Sequence, residues 1–527
     1  MQKNLSEKTK ATKKDTVWII LMILMPLLIV AFLALLSVVF RHSDPFPGIV
    51  WNDEAVYLKL IETYSHYLSP LGYYGFDANH AILGSGPAWN PAILWPYLLP
   101  ALIFGTGQHF VFFVNLFYLL LANVIFWLLA KPKRDECIRL TGFQLLLVPV
   151  ILYLCTNMSE IFRYAVAIVI AGMLYYVYCG GKQIWIRYIL IPMFLLYSVQ
   201  VYIFFAFAIP LYVCGLIRDK KWYFRFLIAF LPSAVTAGGS YYFLHLISSN
   251  YNIGKTEALL AALSAGNIGG MVKSLLGMVK EGIIGIWGLK NYITVSPLYP
   301  YSVLLALALL GVGCFMAARG RKNPERKEDE YLGRMIAHSV ALFYLMYLTL
   351  YTIVPDTFYR GTQIVVIFSL YLIAMAKREY LVRFLLFFAL IGVFLIRPQY
   401  RTFTENRYEA SKNKQEWNAL AEDWAGVMKP DSAKSKWDNT VLMYTMEPKA
   451  ILAVPAGMGE NFVLSDGVFC EDAGYLLFSK ANPEDCDPGW VVHSYDAVFA
   501  DNKDKIEESY IVIYETDDYI IYQKSKP

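Results

Sequence analysis

Two adjacent carboxylates, Asp53 and Glu54, stand in the run Trp51-Asn52-Asp53-Glu54-Ala55-Val56-Tyr57, directly beyond a hydrophobic stretch long enough to cross a membrane. The zone just past a membrane exit favours aromatic and apolar residues, so paired acids there are unusual. A carboxylate at that height can take the proton of a hydroxyl or orient a polar acceptor or a cation. Past Asp53 the residues Tyr57, Leu60, Ile61, Tyr64, Tyr67 and Leu68 recur at helical spacing. This predicts an amphipathic helix along the membrane surface, capped by Asn52 or Asp53, with both acids at its N-terminus facing a lipid-borne substrate. A structural reading stands beside it, with Asp53 as N-cap and Glu54 as first-turn dipole partner.

Holding such acids in place falls to membrane spans. The 527 residues are 57% hydrophobic and 16% aromatic, above the ~45–50% apolar content of a soluble protein. Runs of about 20 apolar residues recur, which is the mark of an α-helical polytopic membrane protein. Residues 1–16, with Lys3, Lys8, Lys10, Lys13 and Lys14, read as a cytoplasmic tail. The first hydrophobic run has no small-residue cleavage motif after it and reads as a retained span. Residues 17–397 read as a transmembrane domain of about 11 helices. The spans are 17–40, 110–130, 140–156, 164–179, two short helices within 187–217 turning near Ser198-Val199-Gln200, 226–247, 301–317, 335–353, 362–376 and 384–396. The stretch 92–105, broken by Pro96 and Pro100, reads as a re-entrant or juxtamembrane helix, because a full crossing would put Lys131, Lys133 and Arg134 outside. Two long outer loops result, 41–108 and 248–297; the second carries another surface-helix candidate with Met271, Leu275, Leu276, Val279 and Ile283 on one side. The inner segments hold 24 Lys or Arg and the outer segments up to Arg360 hold eight, which orients the N-terminus to the cytoplasm.

Residues 398–527 hold 23 of the 42 acids against 13 bases and contain no span, so they read as a small extracytoplasmic α/β domain. Short apolar runs lie at 440–444, 450–454, 510–514 and 519–522, and 510–523 reads as a hairpin turning at Asp517-Asp518. Cys470 and Cys486 can pair if this region is outside the cell. The other five cysteines, in or beside spans, read as small apolar fillers.

No G-x-x-x-x-G-K-[ST], no G-x-G-x-x-G after a soluble strand, no H-E-x-x-H and no paired C-x-x-C occurs, so neither a nucleotide cofactor nor a zinc site is indicated, and nothing points to nucleic acid. An outer catalytic face has no access to cytosolic nucleotide sugars, so a transferase there needs a lipid-linked donor. Asp77 and His80 share the first outer loop, where they could contact donor or acceptor or simply be solvated. Tyr57, Tyr73, Tyr74, Trp89 and Trp95 could stack on sugars, and an interfacial aromatic belt accounts for them equally. Arg163 and Arg360 stand at span boundaries, where an arginine is commonly a snorkelling anchor.

The order of these features, one span, an outer loop opening Asp53-Glu54, a helix, then a Gly/Pro-rich segment ending Asn90-Pro91-Ala92-Ile93-Leu94-Trp95, resembles the GT-C superfamily of membrane glycosyltransferases. In layout it is similar to the protein O-mannosyltransferase and lipid A aminoarabinose transferase branches. Those branches carry a His-Pro-Pro-Leu-like segment where this chain has Asn90-Pro91-Ala92-Ile93, without the His and one Pro. The resemblance covers about residues 17–397. It implies inverting transfer of a sugar from a polyprenyl-phosphate carrier to a glycan, lipid or protein acceptor on the outer face. It implies Asp53 as base, matching the first acid of the family's pair, with Glu54 orienting the acceptor or a divalent cation. Arg360 and Arg163 would hold the carrier phosphate. A transporter or flippase of lipid-linked glycans and a non-catalytic scaffold are the competing classes. Few charges fall in mid-span and the acids gather in outer loops, which favours surface chemistry over transport.

Overall fold

The computed structural model describes residues 13–42, 44–68, 76–77, 91–247, 257–292, 294, 296–322, 327–351, 353, 355–377, 379–410, 413–431, 438–463, 473–481 and 495–525. The apolar run after Asp15 forms α1 (Lys13–Leu36), which widens into a π-helical turn at Ser37–Arg41. Then come α2 (Asn52–Tyr67), the two-residue strand β1 (Phe76–Asp77), α3 (Trp95–Phe104) and α4 (Phe110–Ala130). The bundle continues with α5 (Arg134–Leu146), α6 (Val148–Leu154), α7 (Glu160–Tyr178), α8 (Ile191–Val201), α9 (Ala208–Leu216) and α10 (Trp222–Ile247). After α11 (Glu257–Ser264) and α12 (Ile268–Gly288) it closes with α13 (Leu298–Lys322), α14 (Lys327–Leu350), α15 (Pro355–Ala374) and α16 (Glu379–Ala410). Six of these, α1, α4, α7, α10, α13 and α14, are long and apolar enough to cross a membrane, and shorter apolar helices complete a polytopic membrane protein.

Several expected boundaries shift for local reasons. The span expected at 140–156 is two helices, because Pro149 lacks an amide hydrogen and restarts the helix at its first turn. The pair expected within 187–217 breaks at Tyr202, whose backbone is extended, just after the expected turn. The helix of the last expected span does not stop at Arg397-Pro398 but runs on to Ala410.

The largest correction concerns α2. It is no surface helix with a wetted face: residues 54–61 are all buried. Its polar side is covered by the C-terminal domain, where the buried Lys59 donates through Nζ to the Val454 carbonyl and pairs with Glu62 at 2.6 Å. Its N-cap is Trp51, extended at φ −92° and ψ 143°, rather than Asn52 or Asp53.

The C-terminal elements are α17 (Lys414–Val427), β2 (Thr440–Met443), α18 (Pro448–Ala453), β3 (Gly459–Val463), β4 (Tyr475–Ser479), α19 (Tyr495–Ser509), β5 (Tyr510–Glu515) and β6 (Tyr519–Lys524). The apolar run 450–454 thus belongs to a helix, while 510–523 is the expected antiparallel hairpin. Strand order is β1-β3-β2-β4-β6-β5, parallel from β1 to β4. Side chains alternate between faces: Leu442, Tyr444, Leu476 and Phe478 pack around Ile506 of α19, while Val441, Met443, Tyr475 and Leu477 join the core shared with the bundle. Strand β1 comes from the first loop of the membrane domain and pairs with β3, Phe76 opposite Phe462 and Asp77 opposite Val463. Cys470 and Cys486 lie outside the described residues.

Candidate active site at the head of helix α2

Consecutive residues on an α-helix point about 100° apart, so the two acids that open α2 have different surroundings. Glu54 points inward and is 0% exposed. Its Oε1 accepts from Arg407 Nη1 at 2.8 Å and from the Asn157 amide at 2.7 Å. Its Oε2 accepts from Arg407 Nη1 at 2.7 Å and from the amides of Trp51 at 3.1 Å and Val50 at 3.2 Å. The carboxylate is thus met inside the protein by a guanidinium and by oriented backbone amides.

Asp53 points the other way, and its side chain is 33% exposed. Its Oδ2 meets Arg360 Nη1 of α15 at 3.1 Å. The same nitrogen lies 3.6 Å from Glu160 Oε1, and Arg163 Nη1 lies 3.5 Å from that oxygen. Glu160 is fully buried at the first position of α7, where the helix dipole favours an anion. Neither of its oxygens accepts a hydrogen bond from a described residue. The Arg163 guanidinium covers the Tyr202 ring at 3.9 Å. Trp51 has the Arg407 guanidinium 4.4 Å and the Arg360 guanidinium 6.0 Å from its ring centre. One turn along α2, burial, with Glu160 close by, pushes the Tyr57 phenol well above its usual range, so it remains a neutral hydroxyl.

Of the residues singled out in the sequence, Asp53, Glu54, Tyr57, Arg163 and Arg360 therefore gather at one end of the bundle. Asp77 lies in β1 against the C-terminal sheet. His80 and Trp89, with Tyr73 and Tyr74, fall outside the described residues. Trp95 opens α3 away from the cluster and donates through Nε1 to the hydroxyl of Tyr64, further along α2, at 3.1 Å. Two members of the cluster were not weighed in the sequence. Glu160 carried a weak signal, an acid following Asn157-Met158-Ser159 at a helix start. Arg407 carried none, since it lies 353 residues from its partner and beyond the last expected span. No three His, Cys, Asp or Glu side chains converge among the described residues to hold a metal; Asp53 and Glu160 converge instead on a guanidinium nitrogen.

No sequence family and no curated protein matches the chain. Among solved structures, the apo oligosaccharyltransferase of Archaeoglobus fulgidus aligns with TM-score 0.47 and 14% identity, over 94% of this chain and 69% of its own. ArnT from Cupriavidus metallidurans, bound to undecaprenyl phosphate, aligns with TM-score 0.45 and 11% identity, over 96% of this chain and 98% of its own. The Archaeoglobus fulgidus oligosaccharyltransferase AglB, in complex with an inhibitory peptide and a dolichol-phosphate, aligns with TM-score 0.42 and 15% identity, over 86% and 69%.

Proposed function

We propose that the chain is an inverting glycosyltransferase that moves a sugar from a polyprenyl-phosphate donor to a hydroxyl of a glycan, lipid or protein at the outer face of the membrane. The observation that carries this reading is a partly exposed carboxylate, Asp53, in hydrogen-bond contact with a bundle arginine, Arg360, with Glu160 and Arg163 completing the group. In the reaction the acceptor oxygen attacks the anomeric carbon from the face opposite the carrier. The bond from that carbon to the phosphate oxygen breaks, and its electron pair leaves with the lipid phosphate. Asp53 takes the acceptor proton. Arg360, with Arg163 behind it, meets the charge that grows on the phosphate. Glu54, with both oxygens occupied, holds the head of α2 rather than touching substrate. Tyr57 offers a neutral hydroxyl beneath the site, and Asp77, His80 and Trp89 would meet donor or acceptor from the first loop. This reading sets the N-terminus in the cytoplasm and the C-terminal domain outside.

The test is turnover of undecaprenyl-phosphate-linked glucose, mannose and aminoarabinose by the purified full chain, read as release of undecaprenyl phosphate. General-base assistance is worth about 10²–10⁴-fold in rate, and Asp53→Asn should lower turnover by that order. Near-normal turnover by Asp53→Asn would make the acid structural. If wild type consumes no lipid-linked sugar, the transferase reading gives way to transport.

A further inference from the structure

We infer that Arg407 is a positioning residue for the base: through Glu54 and Trp51 it sets the direction in which Asp53 is presented to Arg360. The inference rests on Asp53 being the base. Its grounds are the contacts of one guanidinium. Arg407 is 1% exposed and donates to both oxygens of Glu54. That carboxylate accepts the Val50 and Trp51 amides and so closes the first turn of α2 from within. Asp53 sits between Trp51 and Glu54, so its backbone angles are held from both sides. The same guanidinium packs on the Trp51 ring, and the Arg407 carbonyl accepts the Gly48 amide at 2.8 Å, which fastens the chain entering α2. Glu54 Oε1 also holds the Asn157 amide, just ahead of Glu160. The pair thus joins the three segments that carry Asp53, Glu160 and Arg407 itself. Arg407 acts through Glu54 and Trp51, and it comes in on α16, which runs unbroken from Glu379.

An arginine that only stabilised the fold would affect the amount of folded protein and leave the rate of each folded molecule alone. A positioning arginine changes the rate per folded molecule, and does so only while Asp53 is able to act. The experiment is a double-mutant cycle in the full chain with the same three undecaprenyl-phosphate sugars, normalised to protein that binds plain undecaprenyl phosphate. Arg407→Gln should lower kcat on the order of 10²-fold while the donor KM stays within about threefold, the signature of a misplaced reacting group. Arg407→Lys, which keeps the charge, should recover part of the loss. In the Asp53→Asn background, Arg407→Gln should cost less than about threefold more, because residues acting as a unit are not additive. Should Arg407→Gln not fold, the pair Glu54→Gln with Arg407→Met removes both buried charges together, a change that buried ion pairs often tolerate. It should show the same dependence on Asp53. Losses that multiply in full would overturn the inference and leave Arg407 a stabilising residue. A silent Asp53→Asn beside an impaired Arg407→Gln would instead overturn the base assignment, and a wild type that turns over none of the sugars would overturn the transferase reading; the inference falls with either.

Discussion

The charges around Asp53 balance: Asp53 and Glu160 against Arg360 and Arg163, with a single Arg360 nitrogen serving both acids. One of the two Asp53 oxygens is engaged by the Arg360 guanidinium. A lipid phosphate that recruits Arg360 must compete with Asp53 for it, and in doing so frees the base. From the sequence alone, Asp53→Asn would change donor affinity little. The Arg360 contact changes the expectation. Removing the competing charge should tighten binding of plain undecaprenyl phosphate by roughly three- to fivefold, the scale of a partly exposed ion pair. Arg360→Ala should weaken it. Titration in lipid nanodiscs measures both, and equal or weaker binding by Asp53→Asn would show that the two anions do not share this arginine. Asp53, Arg163 and Arg360 were legible because acids and arginines at span exits are conspicuous in apolar text. The roles of Glu54 and Glu160 were not, because both depend on partners that no local spacing brings together.

Among the elements, the long apolar helices were readable from hydropathy, and α4 matches its expected span end for end. What hydropathy misses is covered polar surface: α2 has the pattern of a half-wetted helix, yet α18 covers its polar side. It also misses how helices approach. Gly313 of α13 and Gly333 of α14 face each other so closely that a Cβ on Gly333 would lie 2.6 Å from the Gly313 carbonyl oxygen and 2.5 Å from the Ala317 amide nitrogen. Small residues let helices within a membrane approach to backbone contact, where packing replaces the hydrophobic effect as the driving force. Gly333→Leu should therefore separate the pair and cost about 1–3 kcal/mol, seen as a lower unfolding midpoint. Gly311→Leu, on the same α13 but with nothing within 4 Å of its Cβ position, is the control and should leave the midpoint where it was. Equal midpoints in the two variants would remove this contact from the account of stability.

At the scale of the whole molecule the bundle has two unlike ends. At one, arginines close helix C-termini: Arg139 donates to the Ala374 and Ala376 carbonyls, Arg218 to that of Tyr178 and Arg225 to that of Cys214. Cations there meet the negative ends of helix dipoles. At the other end Asp53, Glu160, Arg360 and Arg407 gather, and the C-terminal sheet is seated on α2 and extended by β1. The sequence foretold the separation of charge but not the seating, because a two-residue strand and contacts between residues hundreds of positions apart, such as Lys59 with Val454, leave no periodic trace. The basic end should face the cytoplasm, where lysine and arginine are retained during insertion. In a background without other thiols, Lys133→Cys and Arg321→Cys should react with a membrane-impermeant maleimide only after permeabilisation. Gly266→Cys, Ser85→Cys and Ser465→Cys should react from outside. Labelling of position 133 in intact cells would overturn the span count and make residues 92–105 a true crossing, with Asp53 still outside. If instead position 85, in the same loop as Asp53, reacts only after permeabilisation, water-soluble nucleotide sugars would reach the site and the reason for expecting a lipid-linked donor would be gone. The side on which position 85 reacts therefore decides the class of donor before any sugar is tested.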